Sequence, residues 1–439
     1  MMRVAGARVF NWAAIVAVCL VIAGCSTHRC PVCNPETRDK IPPDKIIGGE
    51  YFCGDDYKTS IGKLQETIRH ESSVDVLLLS GGGSRGSFGA GILYGWDSEP
   101  FDMVTGISTG SILATWAYLG RDHKSNPYEV MKASYNGGVT NKEIRKRRWL
   151  FPFVDSMYSL GPLEDLLEKV IPDEMILEVG RIYDETGRQL WIGSTNLETG
   201  QFCHWNLGER ALAARQAKGV DDVEYQRIID KYRRLIIASS ANPTVFQSVE
   251  IEGFTHVDGG VSETIYVERL DFIAKEVARL RKDEIDAINA RNRTAADEGS
   301  EEEREKPDLK PLNVYAIVNG RLISSQKCAK DDVYSLATRS INLLSKSATR
   351  GNLDRIKVTV DDGFTGIEPE YRDWNYHTGW IRYDKILSPP DSFEPKKMAE
   401  LFDHGLEWIA ERRWCEGVPS MLNSEKNCGL PRAGRKSCK

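Results

Sequence analysis

The sequence predicts an α/β protein in which buried strands alternate with helices. Residues 74–80 form a nearly continuous apolar run bounded by glycines, which is typical of a strand that is covered on both faces. Residues 101–105 form a second short apolar run, and a glycine-flanked serine separates it from a helical stretch at residues 111–119. With 439 residues, of which 41% are apolar and 28% charged, the chain is long enough for one large globular domain or two smaller ones.

The N-terminus has the composition of a secretory signal peptide. Two arginines and no acidic residue flank the apolar stretch at residues 9–23. Residues 22–25 read Ile-Ala-Gly-Cys, which resembles the lipobox of bacterial lipoproteins. The resemblance implies that residues 1–24 are cleaved off and that the thiol of Cys25 is lipidated, with an uncleaved signal anchor as the alternative. By the same family rule, Ser26 favours the outer membrane of the cell envelope over the inner membrane.

The net charge and the cysteine content narrow the kind of protein further. The formal net charge of −6 gives no reason to expect a nucleic-acid partner. Eight cysteines remain after cleavage and lipidation, and an exported chain can pair them as disulfides, although the sequence leaves the pairing open. We expect Cys30 and Cys33 to be structural, and no second close cysteine pair or histidine pair suggests zinc. The eight are Cys30, Cys33, Cys53, Cys203, Cys328, Cys415, Cys428 and Cys438.

The chain divides into a leader, a tether, a body and a tail. Residues 25–70 are polar and rich in proline, so they are predicted to be a tether with one short helix at 60–70. Residues 71–415 are predicted to form the body, which includes a charged helical insertion at about 263–311 with an acidic tip. Residues 416–439 are a cysteine-containing tail. The other predicted elements are helix 161–170, strand 189–195, helix 225–240, strand 253–258, strand 313–319, helix 331–350, strand 355–361 and helix 396–414.

The first predicted strand runs directly into a glycine loop that two chemistries can use. The loop consists of Gly81, Gly82, Gly83, Ser84, Arg85 and Gly86. Bare backbone N–H groups at a helix start can form an oxyanion hole, and Arg85 adds a positive charge. The spacing of the glycines also satisfies a dinucleotide-binding fingerprint, with Asp102 at a tolerable distance for a ribose contact.

A serine and an aspartate are the candidate catalytic side chains. Ser108 lies at the centre of a Gly-x-Ser-x-Gly motif between a predicted strand and a predicted helix, where a sharp turn would expose its hydroxyl. A serine hydroxyl needs a base within hydrogen-bond reach to attack an ester. Asp258 is the candidate base, because it ends a predicted strand and is followed by two glycines.

Taken together and in this order, these motifs resemble those of the patatin-like phospholipase family. The similarity covers about residues 74–319 and includes residues 238–243, which look like the end of that family's helix before the aspartate. It implies a three-layer α/β/α domain with a mostly parallel central sheet. It also implies a Ser-Asp dyad of Ser108 and Asp258, an oxyanion hole in the glycine loop, and hydrolysis of lipid acyl esters. One departure is that residues 261–265 replace the Asn and Pro that often follow Asp-Gly-Gly in the family, which leaves the shape of the pocket floor open.

Two other functional readings remain open at this stage. His377 or His404 follows Asp258 in the chain, as in the Ser-Asp-His order of α/β-hydrolases, and His256 should share a strand face with Asp258. A catalytically silent lipoprotein that binds lipid or a partner on the same fold is the alternative from another class. Residues 142–154 join basic to aromatic side chains and would suit either a lipid interface or a solvated helix end followed by core residues.

The sequence therefore predicts a phospholipase A or esterase that is anchored to a membrane through Cys25 and needs neither metal nor organic cofactor. Its substrate would be a phospholipid or another acyl ester. The head group, the acyl position and the oligomeric state are left open by these patterns.

Overall fold

The protein is described here by a computed structural model that covers residues 46–47, 50–51, 53–55, 62–65, 68, 73–97, 100–148, 156–297, 311–322, 333–382, 392–411 and 414–416. Its strands are β1 (Ile46–Ile47), β2 (Glu50–Tyr51), β3 (Val74–Leu79), β4 (Met103–Ile107), β5 (Lys146–Arg147), β6 (Ser156–Ser159), β7 (Gln189–Asn196), β8 (Phe202–Asn206), β9 (Thr244–Phe246), β10 (Val249–Ile251), β11 (Phe254–Asp258), β12 (Leu312–Val318), β13 (Trp374–Trp380) and β14 (Cys415–Glu416). Its helices are α1 (Gly86–Tyr94), α2 (Thr109–Leu119), α3 (Pro127–Tyr135), α4 (Asn141–Ile144), α5 (Gly161–Val170), α6 (Asp173–Thr186), α7 (Leu207–Ala217), α8 (Asp222–Ser240), α9 (Leu270–Asp297), α10 (Val333–Gly363) and α11 (Pro395–Ala410).

A nine-stranded sheet, counted over the described residues, forms the centre of the molecule. Its order is β10-β11-β7-β4-β3-β12-β13-β14, and β8 pairs with β7 beside this path. The five strands β7, β4, β3, β12 and β13 are all parallel to one another. Every residue of β4 and of β7 is buried, which requires cover on both faces of the sheet. The predicted three-layer α/β/α architecture with a mostly parallel sheet is confirmed.

One predicted strand is wrong, because residues 355–361 lie inside the long helix α10. These residues alternate polar and apolar side chains, which resembles a half-buried strand. The burial instead follows a helical period, with Leu353, Ile356, Val360 and Phe364 inside and Val358 exposed. Packing of this stripe against the body therefore overrides the local β propensity.

The strand β13 was not predicted, and its position completes the parallel sheet. It pairs with β12 over its full length, from Leu312 opposite Trp374 to Val318 opposite Trp380. Tyr376, Thr378 and Trp380 are buried, which is the period of two that marks a strand. The last predicted helix, 396–414, ends at Ala410 in α11, and Cys415 belongs to β14.

The described part of the predicted tether packs on the body. Cys53 forms a disulfide with Cys203 of β8. The carboxylate of Asp55 forms a salt bridge with Arg210, in which Oδ1 lies 2.6 Å from Nη2. Leu64 and Ile68, four residues apart on one helical face, are buried in the main core. Of the residues 25–70 predicted as a tether, these later ones therefore pack on the folded body.

Within the insertion predicted at about 263–311, the described residues include helix α9, which packs on the rest of the body. Helix α9 buries Ile273, Ala274 and Val277 in the core, and the guanidinium of Arg281 donates to the carbonyl oxygens of Tyr371 and Asp373. Lys275, Arg279, Lys282 and Asp283 are exposed on the outer side of this amphipathic helix, whereas Glu276 and Arg281 are buried. The predicted acidic tip lies mainly outside the described residues.

A second, three-stranded sheet joins β5, β6 and β9. It contains Lys146 and Arg147, whereas the aromatic residues of the predicted interfacial segment lie outside the described part of the chain. Within that described part, no helix has both the length and the apolar character needed to cross a membrane. The predicted signal peptide and Cys25 are not among the described residues.

Candidate active site

Ser108 stands in a strained turn between β4 and α2, at the carboxyl end of the sheet. Its backbone has φ 55° and ψ −127°, a conformation that side-chain-bearing residues rarely adopt. A Cβ atom on Gly106 would lie 2.3 Å from the carbonyl oxygen of Gly110, and a Cβ atom on Gly110 would lie 2.5 Å from the carbonyl oxygen of Leu79. Glycine on both sides of the serine is thus a packing requirement of the turn.

Two further serines hold this turn in place. The backbone N–H of Ser108 donates to Oγ of Ser239 at 3.0 Å, at the end of α8. Oγ of Ser111 donates to the carbonyl oxygen of Ser108 at 2.6 Å. Both bonds are buried, so the strained backbone is fixed by groups that have no water to compete with.

The register of β7 brings Asp258 beside Ser108 although 150 positions separate them in the chain. Gly193 of β7 pairs with Ile107 at the end of β4, and the next residue, Ser194, pairs with Asp258 at the end of β11. Strand β8 occupies the other edge of β7 along this stretch. Strand β11 therefore continues the edge position that β4 vacates at Ile107, and the two strands end facing each other.

The carboxylate of Asp258 accepts hydrogen bonds from the hydroxyl of Ser108 and from the N–H of Gly260, the latter at 2.7 Å. Its own N–H donates to the carbonyl oxygen of Ala241 at 2.9 Å, which fixes the backbone. Only 7% of Asp258 and 8% of Ser108 is exposed. Burial raises the pKa of Asp258 to about 6, and the two hydrogen bonds oppose that rise.

Near Ser108, the glycine loop offers two backbone N–H groups as hydrogen-bond donors. Among described residues, the N–H groups of Gly82 and Gly83 donate to no protein acceptor, whereas the N–H of Gly81 bonds the carbonyl oxygen of Thr264 at 3.3 Å. Gly81, Gly82, Gly83 and Arg85 line the cavity that contains Ser108. Ser84 and Gly86 do not line it. Gly86 instead leaves room for Thr109, whose Oγ1 would lie 2.3 Å from an added Cβ atom.

Asn319 fixes the glycine loop and was not singled out in the sequence. Its side chain donates to the carbonyl oxygen of Ser80 at 2.9 Å and accepts from the N–H of Gly89 at 3.0 Å. Its backbone N–H donates to Oγ of Ser80 at 2.8 Å. Its carbonyl oxygen would lie 2.4 Å from a Cβ atom on Gly82. A polar residue at the end of a predicted interior strand was the available signal.

The dinucleotide reading does not fit this geometry. Asp102, its ribose-binding candidate, lies just before β4, and its carboxylate accepts from the N–H of Asp75 at 2.8 Å. Asp75 belongs to the amino-terminal end of β3, whereas the glycine loop follows the carboxyl end of that strand. Asp102 and the glycine loop therefore lie at opposite ends of the parallel strands.

None of the three candidate histidines lines the cavity. His377 stacks on Tyr315 at 5.0 Å between ring centroids, and His404 packs against Phe88 at 5.4 Å. His256 is fully buried, and its Nδ1 shares a hydrogen bond with Oγ of Ser194 at 3.0 Å. Burial lowers the pKa of His256 to about 4, so this imidazole is neutral at physiological pH.

The cavity over Ser108 has a volume of about 790 Å³. Its walls come from the glycine loop, α2, α5, the segment from the end of α8 through β9, and the first half of α10. Large apolar side chains line much of the cavity: Ile112, Trp116, Val139, Ile144, Leu163, Leu166, Leu167, Val170, Val245, Phe246, Val261, Val318, Ile341, Leu344, Phe393 and Met398. The charged wall residues are Arg85, Asp258, Arg321 and Lys346. A pocket of this size and character suits an acyl chain with a polar group at one end.

One group of possible metal ligands occurs among the described residues. Cys53, Cys203 and His256 place their ligand atoms within 4.8 Å of one another. The two cysteines are joined in the disulfide, and zinc binds the thiolate form. The group is therefore better explained as the buried surroundings of the disulfide.

Comparisons with known proteins found a family match for part of the chain. Residues 77–271 match the family model described as patatin-like phospholipase. No curated protein sequence matches the chain significantly. Among solved structures, the chain is similar to the crystal structure of VipD from Legionella pneumophila, with 13% identity, a TM-score of 0.26, and coverage of 78% of this chain and 67% of that chain, a level that carries no argument of its own. The family match and the three-layer fold together show that the chain carries, over residues 77–271, a domain of the patatin-like phospholipase family of lipid acyl hydrolases.

Proposed function

We propose that this protein is a phospholipase A or related esterase in which Ser108 is the nucleophile and Asp258 the general base. The observation that carries the proposal is the hydrogen bond from the Ser108 hydroxyl to a buried carboxylate on the floor of an apolar cavity. A base in this position can take the hydroxyl proton as the oxygen attacks.

The reaction follows from the positions of these groups. Oγ of Ser108 attacks the ester carbonyl carbon and transfers its proton to Asp258, and the resulting oxyanion accepts hydrogen bonds from the N–H groups of Gly82 and Gly83. Donors of this kind are worth about 100- to 1000-fold in rate each. The tetrahedral intermediate collapses, the alcohol leaves with the proton from Asp258, and an acyl-serine remains. Water then attacks the acyl-serine while Asp258 accepts its proton. As the second tetrahedral intermediate collapses and the fatty acid leaves, Asp258 returns that proton to Oγ of Ser108, which restores both residues.

The charge of the cavity favours a phospholipid over a neutral ester. Three cations, Arg85, Arg321 and Lys346, line the cavity, and Asp258 is the one carboxylate among its described lining residues. A phosphodiester carries a negative charge and suits a wall with an excess of cations. The apolar wall residues would surround the acyl chain.

We further propose that a lipid on Cys25 holds the enzyme at a membrane of the bacterial cell envelope, with the outer membrane favoured by Ser26. The support is the lipobox-like sequence of residues 22–25, and the disulfide between Cys53 and Cys203 suits an oxidising compartment. Mass spectrometry of the mature N-terminus tests this proposal. We expect an N-terminal Cys25 that carries added acyl mass, and an unmodified Cys25 would overturn the anchor.

The catalytic proposal is tested with a fluorophosphonate ester probe and a soluble short-chain ester. The native chain should be labelled at Ser108, and Ser108→Ala and Asp258→Asn should each lower hydrolysis by at least about 1000-fold, because a nucleophile and its base act as a unit. Circular dichroism should show unchanged folding in both variants. A native chain that is neither labelled nor active would favour the alternative of a silent lipid-binding lipoprotein, and full activity in either variant would exclude that residue from the dyad.

A further inference from the structure

The first half of α10, residues 333–350, exposes large apolar side chains beside the candidate active site. Leu336 is 46% exposed, Leu343 43%, Ile341 66% and Leu344 69%. The second half of the same helix buries its apolar residues against the body, as Leu353, Ile356 and Val360 show. A cluster of exposed leucine and isoleucine side chains on one segment of a helix indicates an interaction site.

The charged residues of this segment all have the same sign. Residues 333–353 contain Arg339, Lys346 and Arg350 but no aspartate or glutamate. Spacings of seven and four residues place these cations along one face of a helix. Leu336 and Leu343 are also seven residues apart, and each precedes a cation by three positions, so that a leucine stripe runs beside the cationic stripe.

The segment also forms part of the cavity wall. Ile341, Leu344 and Lys346 line the cavity that contains Ser108. By helical geometry, Leu336 and Leu343 lie on the side of α10 away from Ile341, with Lys346 between the two sides. A surface that received the leucine stripe would therefore lie directly next to the entrance used by the substrate.

We propose that residues 333–350 of α10 dock on an anionic phospholipid surface and hold the cavity entrance against it. The inference rests on the proposed function, since it names the surface from which that site takes its substrate. An anionic bilayer complements both stripes: the leucines enter the acyl boundary, and the cations meet the lipid phosphates. Docking on a membrane also explains why Ile341 and Leu344, which line the cavity, are widely exposed.

The basic segment at residues 142–148 is less suited to this role. Arg148 donates to Oγ of Ser156 at 2.9 Å, and the guanidinium of Arg145 lies 4.9 Å from the ring centroid of Tyr158. Lys146 and Arg147 are exposed on β5, but among the described residues this strand presents no large exposed apolar side chain. We therefore expect it to contribute charge alone.

Flotation of the mature chain with lipid vesicles tests the docking directly. The parent begins at residue 26, so that neither the predicted signal peptide nor the proposed lipid holds every variant at the surface. We compare Leu336→Gln/Leu343→Gln with Val358→Gln, an equally polar change at an exposed residue in the second half of the same helix. Glutamine keeps helix propensity close to that of leucine. The expected result is a loss of binding to phosphatidylglycerol vesicles on the order of 10-fold for the leucine pair and no change for Val358→Gln.

Charge is tested with Arg339→Gln on phosphatidylglycerol and on phosphatidylcholine vesicles. The preference for the anionic vesicles should fall about 5-fold, the equivalent of about 1 kcal/mol for one basic residue near such a surface, and it should fade at high salt. Lys146→Gln/Arg147→Gln serves as the comparison at β5. A leucine pair that floats like its parent, or an equal loss of binding on both vesicle types in Arg339→Gln, would overturn the proposal, as would leucine-dependent self-association without vesicles.

Hydrolysis separates this inference from the proposed function. The leucine pair should hydrolyse phosphatidylglycerol vesicles on the order of 10-fold more slowly than its parent, yet hydrolyse a soluble short-chain ester at the parental rate. Equal loss on both substrates would make the segment a structural wall and overturn docking. If the parent hydrolyses no ester at all, the proposed function fails, and flotation still decides whether the helix binds the membrane.

Discussion

At the scale of single residues, the surroundings of Asp258 suit the role of base that we propose for its carboxylate. Its burial makes the charged form costly, whereas the Ser108 hydroxyl and the Gly260 N–H stabilise that form. The resulting pKa of about 6 lies closer to neutral pH than the usual value near 4. A base with a pKa near the working pH takes a proton more readily than an ordinary surface aspartate and is still ionised at pH 7.

This shift predicts the acid limb of the pH profile. Only ionised Asp258 can accept the serine proton, so kcat/KM for a soluble ester should be constant at neutral pH and fall tenfold per pH unit below about 6. The measurement is kcat/KM from pH 4 to 8 on the soluble ester, with ionic strength held constant. Because His256 has a pKa near 4, a limb at that pH would place the titration on the histidine instead. An unshifted limb in His256→Gln is the matched control.

The raised pKa of Asp258 suits a base, but it lowers the stability of the folded state at neutral pH. The folded chain holds the Asp258 proton more tightly than the unfolded chain, so this group favours folding below about pH 4 and loses that contribution as the pH rises through about 6. At neutral pH the ionised carboxylate therefore costs stability, which is a common property of residues placed for catalysis.

At the scale of elements, the sequence predicted those segments whose local pattern and tertiary setting agree. Strand β3 is apolar throughout because it is covered on both faces, and the glycines around Ser108 are required by the turn itself. Both features can therefore be read without the rest of the chain. The candidate dyad could be predicted from the sequence for the same reason, since Ser108 and Asp258 each follow or end a strand beside glycines.

The failures have a common cause in long-range packing. Residues 355–361 have the alternation of a strand, but a core on one side of α10 selects the helical stripe of Ile356 and Val360. Asn319 is unremarkable in sequence, and its importance depends on Ser80 and Gly89, which lie more than 200 positions away. The pairing of Cys53 with Cys203 likewise depends on where the first residues meet β8.

At the scale of the whole molecule, the disulfide decides where the folded body begins. Cys53 is joined to β8, and Gly54 pairs with His204 on the same strand. At most 28 residues then separate the proposed anchor at Cys25 from the body, a covalent reach of no more than about 100 Å. A body confined so close to a membrane meets it at high effective concentration, so even a modest affinity of α10 would keep the cavity entrance at the surface.

The last prediction concerns this junction. The disulfide closes a loop with a sequence separation of 150, and chain entropy assigns such a loop about 5 kcal/mol, with measured values for native disulfides commonly about 2–5 kcal/mol. Cys53→Ala/Cys203→Ala should therefore lower the free energy of unfolding in urea by about 2–5 kcal/mol. Fluorophosphonate labelling of Ser108 in native buffer should be retained, because β4, β7 and β11 hold the dyad without the disulfide.

Reductant supplies the control for this measurement. It should destabilise the native chain towards the level of the double variant while leaving the variant unchanged, provided that the remaining cysteines do not contribute to the fold. An unfolding midpoint shared by the oxidised native chain and the variant would mean that the disulfide adds no stability of its own. The bridge from Gly54 to His204, the ion pair of Asp55 with Arg210, and the burial of Leu64 and Ile68 would then be sufficient to hold the N-terminal residues on the body.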